Sequence, residues 1–227
     1  MRLGVLFSGG KDSFLAMIKA IENSHSIGCL ITIVPENKES FMFHVPNIEL
    51  ADTLAKAIGF KLVKVRSKGE KEKELNDLKK AIQIAMKRYN IEGVVTGTVR
   101  STYQATRIQR ICNELDIWCF NPLWLRPQLD LLEEIIRKRI KVIITGIAAY
   151  PLSKEWLGRE IDKQFIEDVK ELEKVYRINP AGEGGEFETM VLDSPYHRYS
   201  IKIIEAEKNF SNYYGVYSVK KVRLMKK

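Results

Sequence analysis

The chain has 227 residues, of which 45% are hydrophobic, 29% charged and 9% aromatic. This composition builds a globular core and excludes a disordered chain, a coiled coil and a collagen-like fibre. Lysine and arginine number 37 against 29 acidic residues, which leaves a net charge of +8. No apolar run reaches the roughly 20 residues of a membrane helix, and the first apolar run ends at Ser8 without a secretory pattern. We therefore expect a cytoplasmic protein with no membrane partner.

The first half of the chain alternates apolar strand-like runs with amphipathic helical patterns. Helices are predicted over 13–22, around 48–58, over 75–89 and after Ser101, which forms a capping box with Gln104. Strands are predicted at 3–7, 29–34, 60–65, 93–96 and 117–120. Repeated β-α units of this length predict an α/β fold, a doubly wound parallel sheet with helices on both faces.

The pattern changes near Pro122. Helical spacing continues through 129–136 and 161–176, while strands are predicted at 142–148, 190–192, 199–206 and 214–222. We expect a second, smaller lobe of mixed α and β structure. The predicted domains are therefore 1–120 and 121–227.

The three cysteines show no pattern of a metal or redox site. They lie beside apolar residues, and no two of them have the C-x-x-C spacing of a zinc site or a dithiol. We predict small buried hydrophobic side chains at Cys29, Cys112 and Cys119.

A glycine-rich loop, Ser8–Ser13, follows the first predicted strand and precedes the first helix. Gly9 and Gly10 allow backbone N–H groups to converge on an anion, and the helix points its positive end at the same place. Lys11 adds a full positive charge, and the two serines add hydroxyl donors. Asp12 would repel phosphate alone, so beside phosphate it makes sense as a magnesium ligand. The loop therefore predicts a phosphate site.

The loop differs from two common phosphate motifs. A Walker A loop needs glycine where Val5 stands and serine or threonine where Asp12 stands, and no G-x-G-x-x-G follows. Ser-Gly-Gly-Lys-Asp-Ser instead resembles the PP-loop of the N-type ATP pyrophosphatases, an adenine nucleotide alpha hydrolase-like fold. The resemblance implies that the loop holds the β,γ-diphosphate of ATP and that the substrate is adenylated. It also implies that Gly97 lets the nucleotide lie close, whereas Thr98 replaces the aspartate of many relatives and inherits no metal role.

An acidic, glycine-rich segment at 179–189 marks the second half. Three carboxylates within six residues repel one another unless a cation is near, and the segment runs straight into an apolar strand. The simple alternative is a solvated acidic loop. The three carboxylates are those of Glu183, Glu186 and Glu188.

The acidic segment resembles the diphthine–ammonia ligase, or diphthamide synthase, family, and the resemblance runs from Leu3 to about Pro195. It also rests on Ser101–Gln104 with Arg107, Gly146–Tyr150 and Leu157–Asp162. The family implies ATP and magnesium as cofactors, ammonium as the nitrogen donor, and diphthine-bearing translation elongation factor 2 as the partner. Pyrophosphate leaves on adenylation, and ammonia then displaces AMP.

The resemblance implies a set of site residues. Lys11 and Asp12 are the expected catalytic residues. ATP and pyrophosphate would be bound by Ser8, Gly9, Gly10, Lys11, Ser13 and Gly97. Substrate would be bound by Tyr103, Gln104 and Arg107. On physical grounds we add His44, and also Glu183, Glu186 and Glu188, whose carboxylates could complement the quaternary ammonium of diphthine or hold ammonium before it reacts. For His44, in a loop after the second strand, a surface histidine is an equal alternative.

Two other functions stay open at this point. A PP-loop enzyme that modifies tRNA is favoured a little by the basic charge, but the thiolation branch is disfavoured because C-x-x-C pairs are absent. An ATP-binding sensor module would bind nucleotide without releasing pyrophosphate. The basic tail Lys220–Lys227 would suit nucleic acid or an acidic protein, although we do not expect a nucleic-acid partner. The sequence leaves a homodimer open.

Overall fold

The computed structural model describes residues 1–36, 46–68 and 73–227. The chain divides into two compact units, one formed by Met1–Ser8 and Asp12–Trp124 and the other by Gly9–Lys11 and Leu125–Lys227. Three residues of the glycine-rich loop therefore belong to the second unit, while their sequence neighbours belong to the first.

The first unit contains a five-stranded parallel sheet flanked by helices, which confirms the predicted fold class. The strand order is β3-β2-β1-β4-β5, so the order reverses beside β1. Ligands of such sheets bind outside the carboxyl ends of the strands at that reversal. The elements are β1 (Arg2–Leu6), α1 (Lys11–Glu22), β2 (Ser26–Pro35), α2 (Ala51–Ile58), β3 (Leu62–Ser67), α3 (Lys73–Tyr89), β4 (Gly93–Val95), α4 (Thr102–Glu114) and β5 (Trp118–Phe120).

Apolar side chains at the predicted periods form the core of the first unit. On α3, Leu75, Leu78 and Ile82 are buried in one cluster with side chains of β2, β3 and α4. That cluster includes Cys29, and its burial raises the pKa of this thiol to about 12, so the group stays protonated and unreactive. The prediction of buried cysteines is confirmed for Cys29 and Cys112, whereas Cys119 is half-buried.

The second unit is the predicted mixed lobe, with a four-stranded antiparallel sheet of order β7-β6-β9-β8. Helices α5 and α6 contribute Leu131, Leu132 and Phe165 to its core. No helix in the described ranges is long and apolar enough to cross a membrane. The elements are α5 (Gln128–Arg137), β6 (Lys141–Ala148), α6 (Lys163–Tyr176), β7 (Phe187–Asp193), β8 (Tyr199–Ser211) and β9 (Tyr214–Lys226).

The last two strands are longer than the sequence predicts. They form one hairpin that stays paired up to Ser211 and Tyr214. Asn212 and Tyr213 both have positive φ, as a two-residue hairpin turn of the favoured type requires. The sequence-based prediction ends β8 at residue 206, before its observed end at Ser211. Most side chains between these two positions are exposed and polar, so no alternation of apolar residues marks this part of the strand.

Candidate functional site

In the first unit, the end of β1 and the start of α1 are held by short polar contacts. Thr32 Oγ1 donates a hydrogen bond of 2.6 Å to the Phe7 carbonyl oxygen, which anchors the chain just before the loop. Ser8 Oγ and Ser13 Oγ are 3.2 Å apart, and Ser13 is only 6% exposed. The two hydroxyl groups of the predicted phosphate loop are therefore close enough to bind the same anion.

The middle of the loop is fixed by β7 within the second unit. The Val191 N–H donates to the Gly9 carbonyl oxygen at 2.9 Å. The Lys11 N–H donates to Thr189 Oγ1 at 3.1 Å. Gly9 has a φ of 84°, a conformation that glycine adopts without strain. Thr189 was missed by the sequence analysis as a residue that positions Lys11, because nothing local indicates a contact across 178 positions.

The Lys11 side chain is buried in the second unit beside an acid and an aromatic ring. The residue is 3% exposed, and its Nζ lies 3.9 Å from Glu183 Oε1. The same Nζ lies 5.8 Å from the centroid of the Phe187 ring. A buried ammonium group needs such a counter-charge, because removal from water is costly without one. Glu183 thus lies next to the cation of the predicted phosphate loop.

Glu186 has a different environment within the acidic segment. Its Oε1 accepts hydrogen bonds of 3.0 Å from the backbone N–H and from the side-chain amide of Asn179. Its Oε2 accepts a hydrogen bond of 2.8 Å from the Gly184 N–H. The carboxylate therefore holds the fold of its own segment. Glu188, the third predicted acid, is exposed on β7.

Gln128 supports the same segment and was not singled out from the sequence. Its Oε1 accepts from the Ala181 N–H at 3.1 Å, and its Nε2 donates to Asn179 Oδ1 at 2.6 Å. Gln128 is 8% exposed, although it begins α5. A polar residue in the first turn of a helix carries no local signal of burial, so only tertiary structure identifies this role.

Gly97, after β4 in the first unit, lies against the beginning of α1. A Cβ atom built on Gly97 would be 2.6 Å from both the Asp12 carbonyl carbon and the Ser13 nitrogen. Such a distance is not tolerated against backbone atoms. Close packing therefore requires a glycine at position 97, independently of any nucleotide.

The predicted residues of α4 are arranged around its first turns. Ser101 Oγ accepts a hydrogen bond from the Gln104 N–H at 3.3 Å, which confirms the predicted cap. The Arg107 guanidinium carbon lies 3.5 Å from the centroid of the Tyr103 ring, so the two side chains stack as one unit. His44 lies outside the described residues.

The described residues contain no group of three or more histidine, cysteine or acidic side chains suited to hold a metal ion. Magnesium in phosphate sites does not need such a group, since it commonly uses one or two carboxylates together with phosphate oxygens and water. Asp12, in the first turn of α1, fits that chemistry as a single carboxylate within the glycine-rich loop.

A buried serine–histidine pair in the second unit has a structural explanation. Ser194 Oγ lies 2.8 Å from His197 Nδ1 and also accepts a hydrogen bond from the Tyr196 N–H. Burial lowers the pKa of His197 to about 4, so the ring is neutral at pH 7. Both residues are less than 7% exposed, at 2% and 6%. The pair closes a turn after β7 and does not present a nucleophile to a substrate.

The fold and the loop at its reversal point define a PP-loop-type α/β protein. Residues 1–118 match the family model described as the diphthamide synthase N-terminal domain, and residues 127–225 match the model of the C-terminal domain. The chain belongs to the diphthamide synthase family.

Curated relatives support this assignment. The diphthine–ammonia ligase of Bos taurus is 31% identical over 226 residues, which cover 91% of this chain and 84% of the relative. The Homo sapiens diphthine–ammonia ligase has the same identity and coverage. A solved structure titled as a predicted subunit of tRNA methyltransferase from Methanocaldococcus jannaschii has a TM-score of 0.46 and 21% identity, covering 86% of this chain and 98% of that one. That likeness carries no conclusion about this chain.

Proposed function

We propose that the protein is an ATP-dependent diphthine–ammonia ligase that converts diphthine on translation elongation factor 2 into diphthamide. The observation that supports this most is the glycine-rich loop with the buried Lys11, in a chain whose relatives carry that enzyme name. We place this reaction in the cytoplasm. The rival function on tRNA gains no support from either of these relatives.

The first half-reaction uses the loop as an anion site. Its backbone N–H groups, the hydroxyls of Ser8 and Ser13, and Lys11 would bind the β,γ-diphosphate of ATP. An oxygen of the diphthine carboxylate attacks the α-phosphorus, and the bond from that phosphorus to the bridging oxygen breaks. Pyrophosphate leaves as one unit, and Lys11 stabilises the charge that develops on it. The product is an acyl adenylate, whose AMP is a much better leaving group than an oxide ion.

Asp12 would hold magnesium together with phosphate oxygens of ATP. When bound, the ion would neutralise phosphate charge and orient the diphosphate. The Gly97 backbone lies against residues 12–13 and would keep this part of the loop in place.

The second half-reaction forms the amide. Ammonium gives up a proton to water, and the nitrogen of the resulting ammonia attacks the acyl carbon. The nitrogen then loses a second proton to water, and AMP leaves with the electron pair of the broken carbon–oxygen bond. Tyr103, Gln104 and Arg107 would contact the substrate, with the stacked Tyr103–Arg107 pair as a preformed unit. The acidic segment would serve a cation of this reaction, the quaternary ammonium of diphthine or the ammonium co-substrate, through Glu183 and Glu188, with Glu186 maintaining the shape of the segment.

The test is incubation of the chain with ATP, magnesium, ¹⁵N-ammonium and diphthine-bearing elongation factor 2. We expect AMP release matched by incorporation of the label into the factor. Elongation factor 2 that lacks diphthine is the matched control and should release no AMP. Turnover of ATP that rises with tRNA and not with the factor would overturn the proposal. Weak, salt-sensitive tRNA binding through Lys220–Lys227 would leave it standing, because nonspecific phosphate contacts form readily.

A further inference from the structure

The contact between Lys11 and Glu183 joins two groups that the proposed reaction needs separately. Lys11 would bind the diphosphate of ATP, and Glu183 would serve a cation. In the structure they are 3.9 Å apart, with side chains only 4% and 14% exposed. Each is therefore a close charged neighbour of the other.

The diphosphate of ATP is a stronger partner for Lys11 than one carboxylate is. It offers more negative charge and several acceptor oxygens to the same ammonium group. The Lys11 backbone is held by Thr189, so only the side chain has to turn. Binding of ATP would thus draw Nζ away from Glu183.

Glu183 would stay where it is when Lys11 turns. The segment around it is held by the three hydrogen bonds to the Glu186 carboxylate. Gly182, directly before Glu183, has a φ of 76°, and a Cβ there would be 2.8 Å from the Phe187 carbonyl oxygen. The position that Nζ leaves is therefore bounded by a carboxylate and the face of the Phe187 ring.

A lysine Nζ is chemically a substituted ammonium ion, so the position it leaves suits ammonium itself. Both are compact cations with N–H donors that a carboxylate accepts and an aromatic ring attracts. We propose that Glu183 binds the ammonium co-substrate, and that ATP makes this carboxylate available by exchanging it for phosphate as the partner of Lys11. This inference rests on the proposed function for the identity of the co-substrate.

The exchange predicts a thermodynamic coupling between the two ligands. If ATP frees Glu183 for ammonium, then ammonium must strengthen ATP binding by the same factor. Calorimetry of ATP binding without elongation factor 2 measures this directly, in ammonium chloride and in sodium chloride of equal ionic strength. We expect the Kd for ATP to fall about 5-fold or more in ammonium chloride. An equal Kd in the two salts would overturn the proposal.

Glu183→Gln separates this exchange from a scaffold role. We expect this variant to bind ATP more tightly, by about 5-fold or more, because the Glu183 carboxylate no longer competes with phosphate for the buried Lys11, and to lose the difference between the two salts. Lower ATP affinity with a lower melting temperature would instead assign Glu183 a structural role. Glu171→Gln, which removes an equally charged group from an exposed pair with Lys174, is the matched control and should keep the wild-type salt difference.

A third salt decides which cation the site takes. Tetramethylammonium carries the charge of the diphthine quaternary ammonium but has no N–H donors. A Kd shift in tetramethylammonium chloride without one in ammonium chloride would overturn the assignment to ammonium. These binding measurements need no turnover, so a failure of the AMP-release assay would reject the proposed function while leaving the coupling result readable.

Discussion

Two glycine-rich segments, 8–13 and 179–189, look alike in composition and use their charges differently. Each places glycine in the left-handed region, at Gly9 in the first and at Gly182 and Gly185 in the second. In the second, the Glu186 carboxylate is occupied by amide donors of its own segment. In the first, Lys11 is buried against Glu183 of the second segment. The charged residues of a glycine-rich segment are therefore assigned to binding or to scaffolding one by one, from the hydrogen bonds and ion pairs that each of them makes and not from the composition of the segment.

The strongest test of this contrast removes the positive charge of the first segment, that of Lys11. Lys11→Ala should lower the rate of AMP formation about 100-fold, a loss of roughly 3 kcal/mol, because the departing pyrophosphate loses its charge partner. The measurement is AMP release at saturating ATP. The double variant Lys11→Ala with Glu183→Gln is the control for stability. Its melting temperature, compared with that of Lys11→Ala, shows how much stability is lost because the Glu183 carboxylate no longer contacts Lys11. Wild-type AMP production by Lys11→Ala would contradict the assignment of Lys11 to the phosphates.

A second test compares Gly97, where close packing requires a glycine, with Gly185, where only the backbone conformation favours one. Gly97→Ala should lower the free energy of unfolding by about 1–3 kcal/mol, since its Cβ would overlap the backbone of Asp12 and Ser13. Gly185→Ala meets no atom within 4 Å and only strains a φ of 87°, so a loss of about 1 kcal/mol or less is expected. Urea unfolding of both variants is the measurement. Equal losses of unfolding free energy in the two variants would show that the backbone around Gly97 accommodates the added methyl group at no further cost.

The third test concerns the acid of the first segment. Asp12→Asn keeps the shape and removes the charge expected to hold magnesium. The magnesium concentration for half-maximal AMP formation should rise roughly tenfold, equivalent to about 1.4 kcal/mol of binding free energy. A magnesium titration at fixed ATP checks this. An unchanged titration would show that Asp12 is not a ligand.

The last test concerns Glu186→Gln in the second segment. One carboxylate oxygen becomes an NH₂ group, which cannot accept from an N–H donor, so stability should fall by about 1–2 kcal/mol. ATP affinity should change little, because Lys11 keeps its neighbours. The sequence-based prediction that Glu186 binds the cationic substrate expects the opposite pattern, with normal stability and a weaker dependence on ammonium or elongation factor. Thermal melting and the ammonium dependence of AMP release distinguish the two.

The amino-acid sequence by itself determined the layout of the first unit and the chemistry of its loop. Apolar runs interrupted by amphipathic spacing are local patterns, and they predicted all five strands and the parallel arrangement. The cap at Ser101 was predictable for the same reason, since donor and acceptor are three residues apart. The motif at Ser8–Ser13 and the acidic segment were also sufficient to indicate the family.

Tertiary structure alone decided what the charged groups contact. These contacts join residues that are 51 or more positions apart. They are the hydrogen bond from Lys11 to Thr189, the packing of Gly97 against residues 12–13, and the support of the acidic segment by Gln128. Such contacts depend on where whole elements pack, and no local propensity encodes them. Glu186 is the instructive exception, because its partners lie two and seven positions away and yet were not foreseen. A carboxylate can accept from backbone amides or from a cation, and only the folded path of the chain brings the amides to it.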